Sequence, residues 1–120
     1  MTLRVAVLGA GHFGRFHALK AAKGARTRLV AVHDADAARA AAVAAEAGAP
    51  ALGLAEAIGA ADAVIVAAPT RFHFALGSAV LEAGRHLFME KPIAATLAEA
   101  DALATLAASR RLVLQVGHIA

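Results

Sequence analysis

The chain has 120 residues, of which 60% are hydrophobic, and a formal net charge of +3. This length suits a single domain with one core. The basic residues are scattered and there is no Tyr or Trp to stack on bases, so we expect no nucleic-acid partner. No apolar run reaches the ~18–20 residues that cross a bilayer, and no signal peptide is visible, so we expect no membrane partner. The absence of cysteine excludes disulfides and thiolate chemistry and fits a cytoplasmic location.

The predicted elements alternate between strand and helix from the start of the chain. Residues 3–9, LRVAVLG, are nearly all apolar, as in a strand that is covered on both faces. Residues 12–24 have the pattern of a helix, and residues 27–34 form a second run of strand length. Helices between successive strands indicate right-handed crossovers and a parallel sheet.

The next segment is rich in alanine and predicts a helix over residues 35–48. Either Asp34 or Asp36 can cap the start of this helix, because both carboxylates lie where the free N–H groups of a first turn are found. A short third strand is predicted at residues 49–53, followed by a short helix at residues 54–60.

The second half of the chain repeats this plan. Its strands are predicted at residues 62–69, 85–90 and 111–118, and its helices at 71–84 and 96–110. Thr96 with Glu99 three residues later is a capping-box signature for the last helix. Two βαβαβ halves predict a doubly wound parallel α/β sheet, the Rossmann dinucleotide-binding fold, in one domain over residues 1–120.

A glycine-rich turn, GAGHFG, follows the first predicted strand and opens the first helix. It matches G-x-G-x-x-G in the context that this motif requires. The first glycine allows a tight turn, the second allows a pyrophosphate to approach the backbone, and the third allows the helix to pack closely. We therefore predict that a dinucleotide is held at this turn by Gly9, Gly11, His12, Phe13 and Gly14.

Asp34 lies at the end of the second predicted strand, twenty residues beyond Gly14. This is the spacing of a carboxylate that accepts hydrogen bonds from an adenosine ribose, although a plain helix cap remains an alternative. A carboxylate here would repel a 2′-phosphate. No arginine follows immediately to neutralise that phosphate, since Arg39 is five residues further on. The sequence therefore favours NAD over NADP.

Several other classes of nucleotide-binding protein can be compared with these motifs. There is no G-x-x-x-x-G-K-[ST] segment, which excludes a P-loop nucleotidase. Short-chain dehydrogenases use a tyrosine as catalytic acid, and this chain has none. An S-adenosylmethionine-dependent methyltransferase shares the glycine turn and the acid after the second strand, so it remains an alternative for the first half, but it does not explain the MEKP segment.

Lys91 is one of only three lysines and falls at the carboxyl end of the strand predicted at residues 85–90. Open parallel sheets place their ligands at this edge. A lysine ammonium can donate to a reacting oxygen, which suits a catalytic or substrate-binding role. A charged turn that simply ends the strand is the alternative from the residues alone. Pro92 restricts the backbone here, and the Lys91–Pro92 bond can be cis.

Four segments, VAVLGAGHFGRFHA, VIVAAPTRFH, AGRHLFMEKPIA and LVLQVGHIA, occur in this order over essentially the whole chain. Together they resemble the glucose–fructose oxidoreductase / inositol dehydrogenase (Gfo/Idh/MocA) family, and the EKP triplet is the most specific match. The resemblance implies that Lys91 lies beside the nicotinamide and contacts the substrate oxygen that gains or loses a proton. The resemblance also assigns Glu90 and Pro92, the other two residues of the triplet, to the cofactor site.

The resemblance also implies further site residues. Ala68, Pro69 and Thr70 would form a wall of the cofactor site, and His73 matches a histidine that opens the following helix. For His73 a structural role is an equal alternative. Gly117-His118 match the segment that leads out of the sheet. None of the six histidines has metal-ligand spacing, so we expect no metal.

The function implied by the resemblance is that of an NAD-dependent oxidoreductase acting on a secondary alcohol of a sugar, cyclitol or nucleotide sugar. A non-catalytic dinucleotide-binding sensor is the alternative. In the family a second α+β domain follows, with a catalytic histidine in an Asp-x-x-x-His motif, and the full-length protein is expected to be a homo-oligomer. The 120 residues end where that domain would begin, so we expect them to bind cofactor and to be inactive alone.

Overall fold

A computed structural model describes residues 2–117 and contains five strands and five α-helices. The strands are β1 (Leu3–Leu8), β2 (Thr27–His33), β3 (Ala63–Val66), β4 (His86–Glu90) and β5 (Leu114–Gly117). The helices are α1 (His12–Lys23), α2 (Ala37–Ala47), α3 (Leu54–Ala60), α4 (His73–Glu82) and α5 (Leu97–Ser109), with a 3-10 turn at Thr70–Phe72 before α4. No helix within residues 2–117 combines the length and the apolar character of a membrane span.

The five strands form one parallel sheet in the order β2-β1-β3-β4-β5. The chain therefore starts in the middle of the sheet, builds outward to β2, and then returns to the other side of β1. Leu8 at the end of β1 lies opposite both His33 of β2 and Val66 of β3. This order is that of a doubly wound α/β sheet, so the predicted fold class is confirmed.

The third predicted strand, residues 49–53, is wrong as a strand. The structure has only an isolated parallel bridge between Val32 and Ala51 beside β2. Pro50 accepts a hydrogen bond from Val32, and Leu52 donates one to the Val32 carbonyl. Because proline has no N–H to give and Gly53 begins the approach to α3, the segment pairs through a single residue and does not extend into a ladder.

Two layers of helices cover the sheet, and β1 contributes alternate residues to both. Val5 and Val7 pack in a cluster with α1 and α2, whereas Ala6 and Leu8 pack in the larger cluster formed with α3, α4 and α5. Because both faces of β1 are buried, its sequence is almost continuously apolar instead of alternating. The helix layers hold the strand ends in place and so position the loops at the carboxyl edge.

The cover on the α1 side is incomplete over the second half of the sheet. On this face of the sheet, α1 and α2 pack mainly on β1 and β2 and leave the other strands largely uncovered. An apolar groove of about 420 Å³ lies over β3, β4 and β5, with Ile65, Phe88 and Val113 in its lining. His17 of α1 also lines this groove, next to Phe88.

Candidate functional site

The carboxyl ends of all five strands meet at one edge of the sheet, and the predicted site residues follow these ends. One neighbour of β1 is β2, to which it is joined through α1, while its other neighbour, β3, belongs to the second half of the chain. In open parallel sheets this reversal of strand order leaves a crevice outside the strand ends, where ligands bind. The loops after β1, β2, β3 and β4 therefore lie around one crevice.

Gly9 and Gly14 are required by the packing of the turn itself. Gly9 has a φ of +103°, and a methyl group on it would lie 2.8 Å from the carbonyl carbon of Ala67. A methyl group on Gly14 would collide with the carbonyl oxygen of Gly9. The turn thus bends tightly after β1, and α1 packs directly against it, which are the two effects predicted for the first and third glycines.

Gly11 differs from these two glycines because the protein's own packing does not need it. Its φ is −76°, which any residue can adopt, and apart from its chain neighbours no described residue has an atom within 4 Å of a Cβ placed on it. It is the N-cap of α1, and within residues 2–117 no side chain caps this helix start. His12 and Phe13, in the first turn, are exposed. The result is an open cradle beside unbonded N–H groups, which fits an anionic group.

Asp34 joins the glycine turn to the start of α2. Its Oδ2 accepts a hydrogen bond from Ala10 N at 2.7 Å, and its Oδ1 accepts one from Asp36 N at 2.8 Å. The cap of α2 is Asp36, which accepts from Arg39 N at 3.1 Å. Asp34 is therefore not the helix cap, and its half-buried carboxylate is held at the crevice with acceptor sites to spare.

The segment after β3 forms the opposite wall of the crevice. Ala67 donates a hydrogen bond to Leu8 across the β1–β3 boundary at 2.8 Å. Pro69 is exposed, and Ala68 and Thr70 are partly exposed, so all three can be reached by a ligand. The strand predicted at residues 62–69 ends at Val66, because the chain leaves the ladder there to form this wall.

His73 lies behind that wall rather than on its surface. It is 1% exposed, its Nδ1 lies 2.8 Å from the Pro92 carbonyl oxygen, and its Nε2 lies 2.8 Å from the Ala68 carbonyl oxygen. The ring therefore links the segment after β3 to the segment after β4. Of the two roles left open by the sequence, this geometry favours the structural one.

Lys91 and Pro92 follow β4 at the same edge, and both are exposed. The peptide bond between them is cis. Lys91 N donates a hydrogen bond to the Gly117 carbonyl oxygen of β5 at 3.3 Å. The backbone on either side of Lys91 is thus held by protein contacts, while the residue itself is exposed. His118, which was matched together with Gly117, lies outside the described residues.

Glu90 has a partner that the sequence did not predict. Its Oε1 lies 3.0 Å from Nε2 of His17 in α1, and the side chains of Glu90 and His17 are 15% and 4% exposed. The His17 ring also makes an edge contact with Phe88 at a centroid distance of 6.0 Å. His17 falls on the buried face of α1 together with Gly14, Ala18 and Ala21. This spacing indicates core packing and gives no sign of a polar contact.

The ion pairs with clear effects on pKa values contribute to the fold. Arg4 donates from its guanidinium and its backbone N to Asp62, and these hydrogen bonds, the guanidinium's first, lower the pKa of Asp62 to about 2. The Arg15 guanidinium pairs with Glu46, lowers the pKa of that carboxyl, and ties α1 to α2. The Arg4–Asp62 pair lies at the amino ends of β1 and β3, away from the crevice.

In the part of the chain that the structure describes, no three His, Asp or Glu side chains come together as a metal site would require. At the carboxyl edge, the free N–H groups at the start of α1 can bind an anionic group, the Asp34 carboxylate can accept from hydroxyl groups, and the Lys91 ammonium can donate to a polar group.

Known proteins resemble this chain in sequence and in fold. Residues 3–118 match the family model described as an oxidoreductase family with an NAD-binding Rossmann fold, Gfo/Idh/MocA. The chain is 46% identical over 118 residues to UDP-N-acetylglucosamine 3-dehydrogenase of Acidithiobacillus ferrooxidans. The aligned residues cover 98% of this chain and 37% of that protein. The solved structure of that enzyme, GnnA, has a TM-score of 0.93 at 42% identity, over 98% of this chain and 38% of the other.

Two further relatives extend the comparison. Inositol 2-dehydrogenase 1 of Saccharopolyspora erythraea is 42% identical over 127 residues, which cover 99% of this chain and 37% of that protein. The structure of GenD2 from gentamicin A biosynthesis in complex with NAD has a TM-score of 0.92 at 34% identity, over 97% and 34% of the two chains. The chain thus spans less than two fifths of the length of these relatives. It belongs to the Gfo/Idh/MocA oxidoreductase family, of which it comprises the NAD-binding Rossmann fold.

Proposed function

We propose that this chain binds NAD and is the cofactor-binding part of an oxidoreductase that transfers a hydride between the nicotinamide and a secondary alcohol of a sugar, cyclitol or nucleotide sugar. The observation that carries the proposal is the open position of Gly11 at the uncapped start of α1, beside Asp34. The relatives reported above are named as dehydrogenases of a nucleotide sugar and of inositol, so a non-catalytic sensor is not favoured.

The phosphates of the dinucleotide are the groups that the Gly11 cradle would hold. The first N–H groups of α1 have no intrahelical partner, and the positive end of the helix dipole adds to their attraction for an anion. Because Gly11 has no side chain, a phosphate oxygen can approach its backbone directly. The exposed His12 and Phe13 would border the same phosphates.

The adenosine ribose would be bound by Asp34. Two backbone N–H groups already orient its carboxylate. An ionised carboxylate has about four acceptor sites, so two remain for the ribose hydroxyls. A 2′-phosphate in place of the 2′-hydroxyl would bring a second negative charge against Asp34, and this repulsion supports NAD as the preferred cofactor.

The nicotinamide end would lie between the wall formed by Ala68, Pro69 and Thr70 and the Lys91–Pro92 segment. When bound, the nicotinamide ring accepts or gives the hydride. The Lys91 ammonium would donate a hydrogen bond to the substrate oxygen and stabilise negative charge that develops on it. His73 holds the two segments together from behind through the Ala68 and Pro92 carbonyl oxygens. Lys91 is therefore the catalytic residue of the proposal.

Titration calorimetry of the 120-residue chain with NADH tests the proposal. We expect saturable binding by the unaltered chain. Gly11→Val places a branched side chain in the cradle and should weaken binding by at least about a hundredfold, the equivalent of losing two hydrogen bonds to a charged group. The circular dichroism spectrum and the cooperative melting transition should both remain unchanged, because a Cβ built on Gly11 meets no atom within 4 Å apart from its chain neighbours.

Gly59→Val is the matched control. A Cβ built on Gly59 also meets no atom within 4 Å outside its chain neighbours and the adjacent helix backbone, but Gly59 lies in α3, away from the glycine turn. This variant should bind NADH like the unaltered chain. If Gly11→Val folds and retains full affinity, the dinucleotide is not held at this turn and the proposal fails.

A further inference from the structure

The residues around Lys91 are tied to the rest of the protein from three directions. Lys91 N is bonded to Gly117 of β5, the Pro92 carbonyl oxygen contacts His73 of α4, and the Glu90 carboxylate contacts His17 of α1. The first two contacts involve the backbone. The third is a partly buried contact between two side chains, and it reaches the helix whose start holds the Gly11 cradle.

Nε2 of His17 and Oε1 of Glu90 lie at hydrogen-bonding distance, 3.0 Å. The Nε2–H tautomer of His17 can donate in this contact, and a carboxylate oxygen can accept. The ring is 4% exposed and the Glu90 side chain 15% exposed, so water has limited access to this contact. Phe88 contacts the ring edge-on and limits its rotation.

Helix α1 therefore connects both ends of the crevice. Its start packs against Gly9 through Gly14, and one turn later His17 reaches Glu90. We propose that His17 is a positioning residue that holds Glu90, and through it the adjacent Lys91, at a set distance from the phosphate-binding start of α1. This inference rests on the proposed function, because it assumes that one dinucleotide spans these two ends.

The inference predicts that His17 affects the nicotinamide end of the ligand and not the adenosine end. NADH contains the nicotinamide, whereas ADP-ribose has the same adenosine, pyrophosphate and second ribose without it. We expect the unaltered chain to bind NADH more tightly than ADP-ribose. His17→Leu should raise the Kd for NADH about tenfold, as expected for losing a hydrogen bond to a charged group, and change the Kd for ADP-ribose less than about twofold.

Two amide variants provide a rescue and a safeguard against misfolding. The amide nitrogen of His17→Gln can occupy the place of Nε2, so this variant should bind both ligands normally. The shorter side chain of His17→Asn cannot reach Glu90 and should behave like His17→Leu. The two amides differ by one methylene, so their comparison decides the question even if His17→Leu does not fold.

Thr27→Val is the matched control for a general loosening of α1. Thr27 donates to the Ala21 carbonyl oxygen at 2.7 Å and ties the end of α1 to β2. This variant should lower the melting temperature and leave the ratio of the two dissociation constants unchanged.

Each other outcome overturns the proposal. If His17→Asn weakens both ligands equally, His17 only supports α1. If it weakens neither, or if the unaltered chain does not distinguish NADH from ADP-ribose, Lys91 is not positioned through this contact although dinucleotide binding stands. If the unaltered chain binds neither ligand, the proposed function itself fails and the positioning role fails with it.

Discussion

At the scale of single residues, Asp34 serves both the fold and the proposed ligand. Its carboxylate accepts from Ala10 in the glycine turn and from Asp36 at the start of α2, so it aligns the two loops that would hold the adenosine half of the dinucleotide. The same two contacts fix the position of its negative charge. A group that selects between cofactors by charge needs this kind of fixed position.

The choice of cofactor is the first prediction at this scale. We expect the unaltered chain to bind NADH at least about tenfold more tightly than NADPH, a difference of about 1.4 kcal/mol. Asp34→Ala should narrow this gap, because it removes both the ribose acceptor and the repulsion of the 2′-phosphate. Asp34→Asn keeps an oxygen that can accept from Ala10 and removes the charge. It therefore separates the effect of losing the charge from the effect of losing the acceptor. Equal affinities in the unaltered chain, measured by calorimetry, would contradict the assignment.

A second prediction concerns Asp62 and acid stability. The pKa of Asp62 falls from 3.8 to about 2 on pairing with Arg4, so the folded state favours the ionised form. The resulting stability is fully present above pH 3.8 and is lost as the pH falls towards 2. The melting temperature of the unaltered chain should therefore exceed that of Asp62→Asn by a constant amount above pH 4, and the difference should shrink below it.

Arg4→Gln is the matching variant, because it removes the cause of the shift and leaves the carboxylate. It should show the same loss of melting temperature near neutral pH as Asp62→Asn. A difference that persisted unchanged down to pH 2 would show that the pair does not stabilise the fold through its charge.

At the scale of elements, α5 is the helix whose start is best defined by its sequence. Thr96 Oγ1 accepts a hydrogen bond from Glu99 N at 3.2 Å, as the capping box predicts. Thr96→Ala should lower the free energy of unfolding by about 1 kcal/mol, and Thr96→Ser should restore most of it. Urea denaturation followed by circular dichroism measures both. If the Ala and Ser variants are equally stable, the cap contributes nothing.

The existence and order of the main elements could be predicted from the sequence because their patterns are local. Apolar runs bounded by glycine turns predicted all five strands of the sheet, and the capping residues predicted where α2 and α5 begin. The prediction of a strand at residues 49–53 was wrong. The short apolar run resembles a strand, but Pro50 limits its pairing to one residue. Local pattern cannot measure how far a ladder extends.

The candidate site could be predicted in outline and not in its contacts. The glycine turn, Asp34 and the Lys91 segment each follow a strand, so parallel topology alone brings them to one edge. The contact of Glu90 with His17, and that of His73 with Ala68 and Pro92, depend on how α1 and α4 dock. Docking joins residues far apart in sequence, and nothing in their local pattern indicates it.

At the scale of the whole molecule, the crevice combines residues from both halves of the chain. The residues proposed to bind the phosphates and the ribose come from the first half of the chain. The wall and Lys91 come from the second half. The relatives reported above are more than twice as long as this chain. We therefore propose that residues 1–120 contain the cofactor contacts and that a further domain supplies substrate contacts and acid–base assistance.

Binding and turnover should then separate. We expect the 120-residue chain to bind NADH and to show no detectable reduction of NAD with a panel of sugars, inositols and UDP-sugars. General acid–base assistance is typically worth ~10²–10⁴-fold, and positioning of the alcohol would also be missing. A protein in which residues 1–120 are joined to the proposed second domain should turn over, and Lys91→Met in that protein should abolish turnover.

The matched control for Lys91→Met is Lys23→Met. Lys23 lies at the end of α1, shortly before the amino end of β2 and away from the carboxyl ends of the strands, so this variant should leave turnover unchanged. If residues 1–120 alone oxidise one of these substrates at an ordinary enzymatic rate, the proposed division between two domains is wrong. If Lys91→Met retains activity, the lysine serves only the turn.

The pairing of β1 with β3 also determines what a nucleotide titration measures. These strands lie far apart in the sequence, so the crevice exists only when the two halves are assembled. The circular dichroism of the helices can persist in compact states that have lost their tertiary packing. A sample in which β3 had separated from β1 would thus keep a helical spectrum and fail to bind. Under the proposed function, the stoichiometry of NADH binding therefore reports the natively folded fraction of a preparation, which helical content does not.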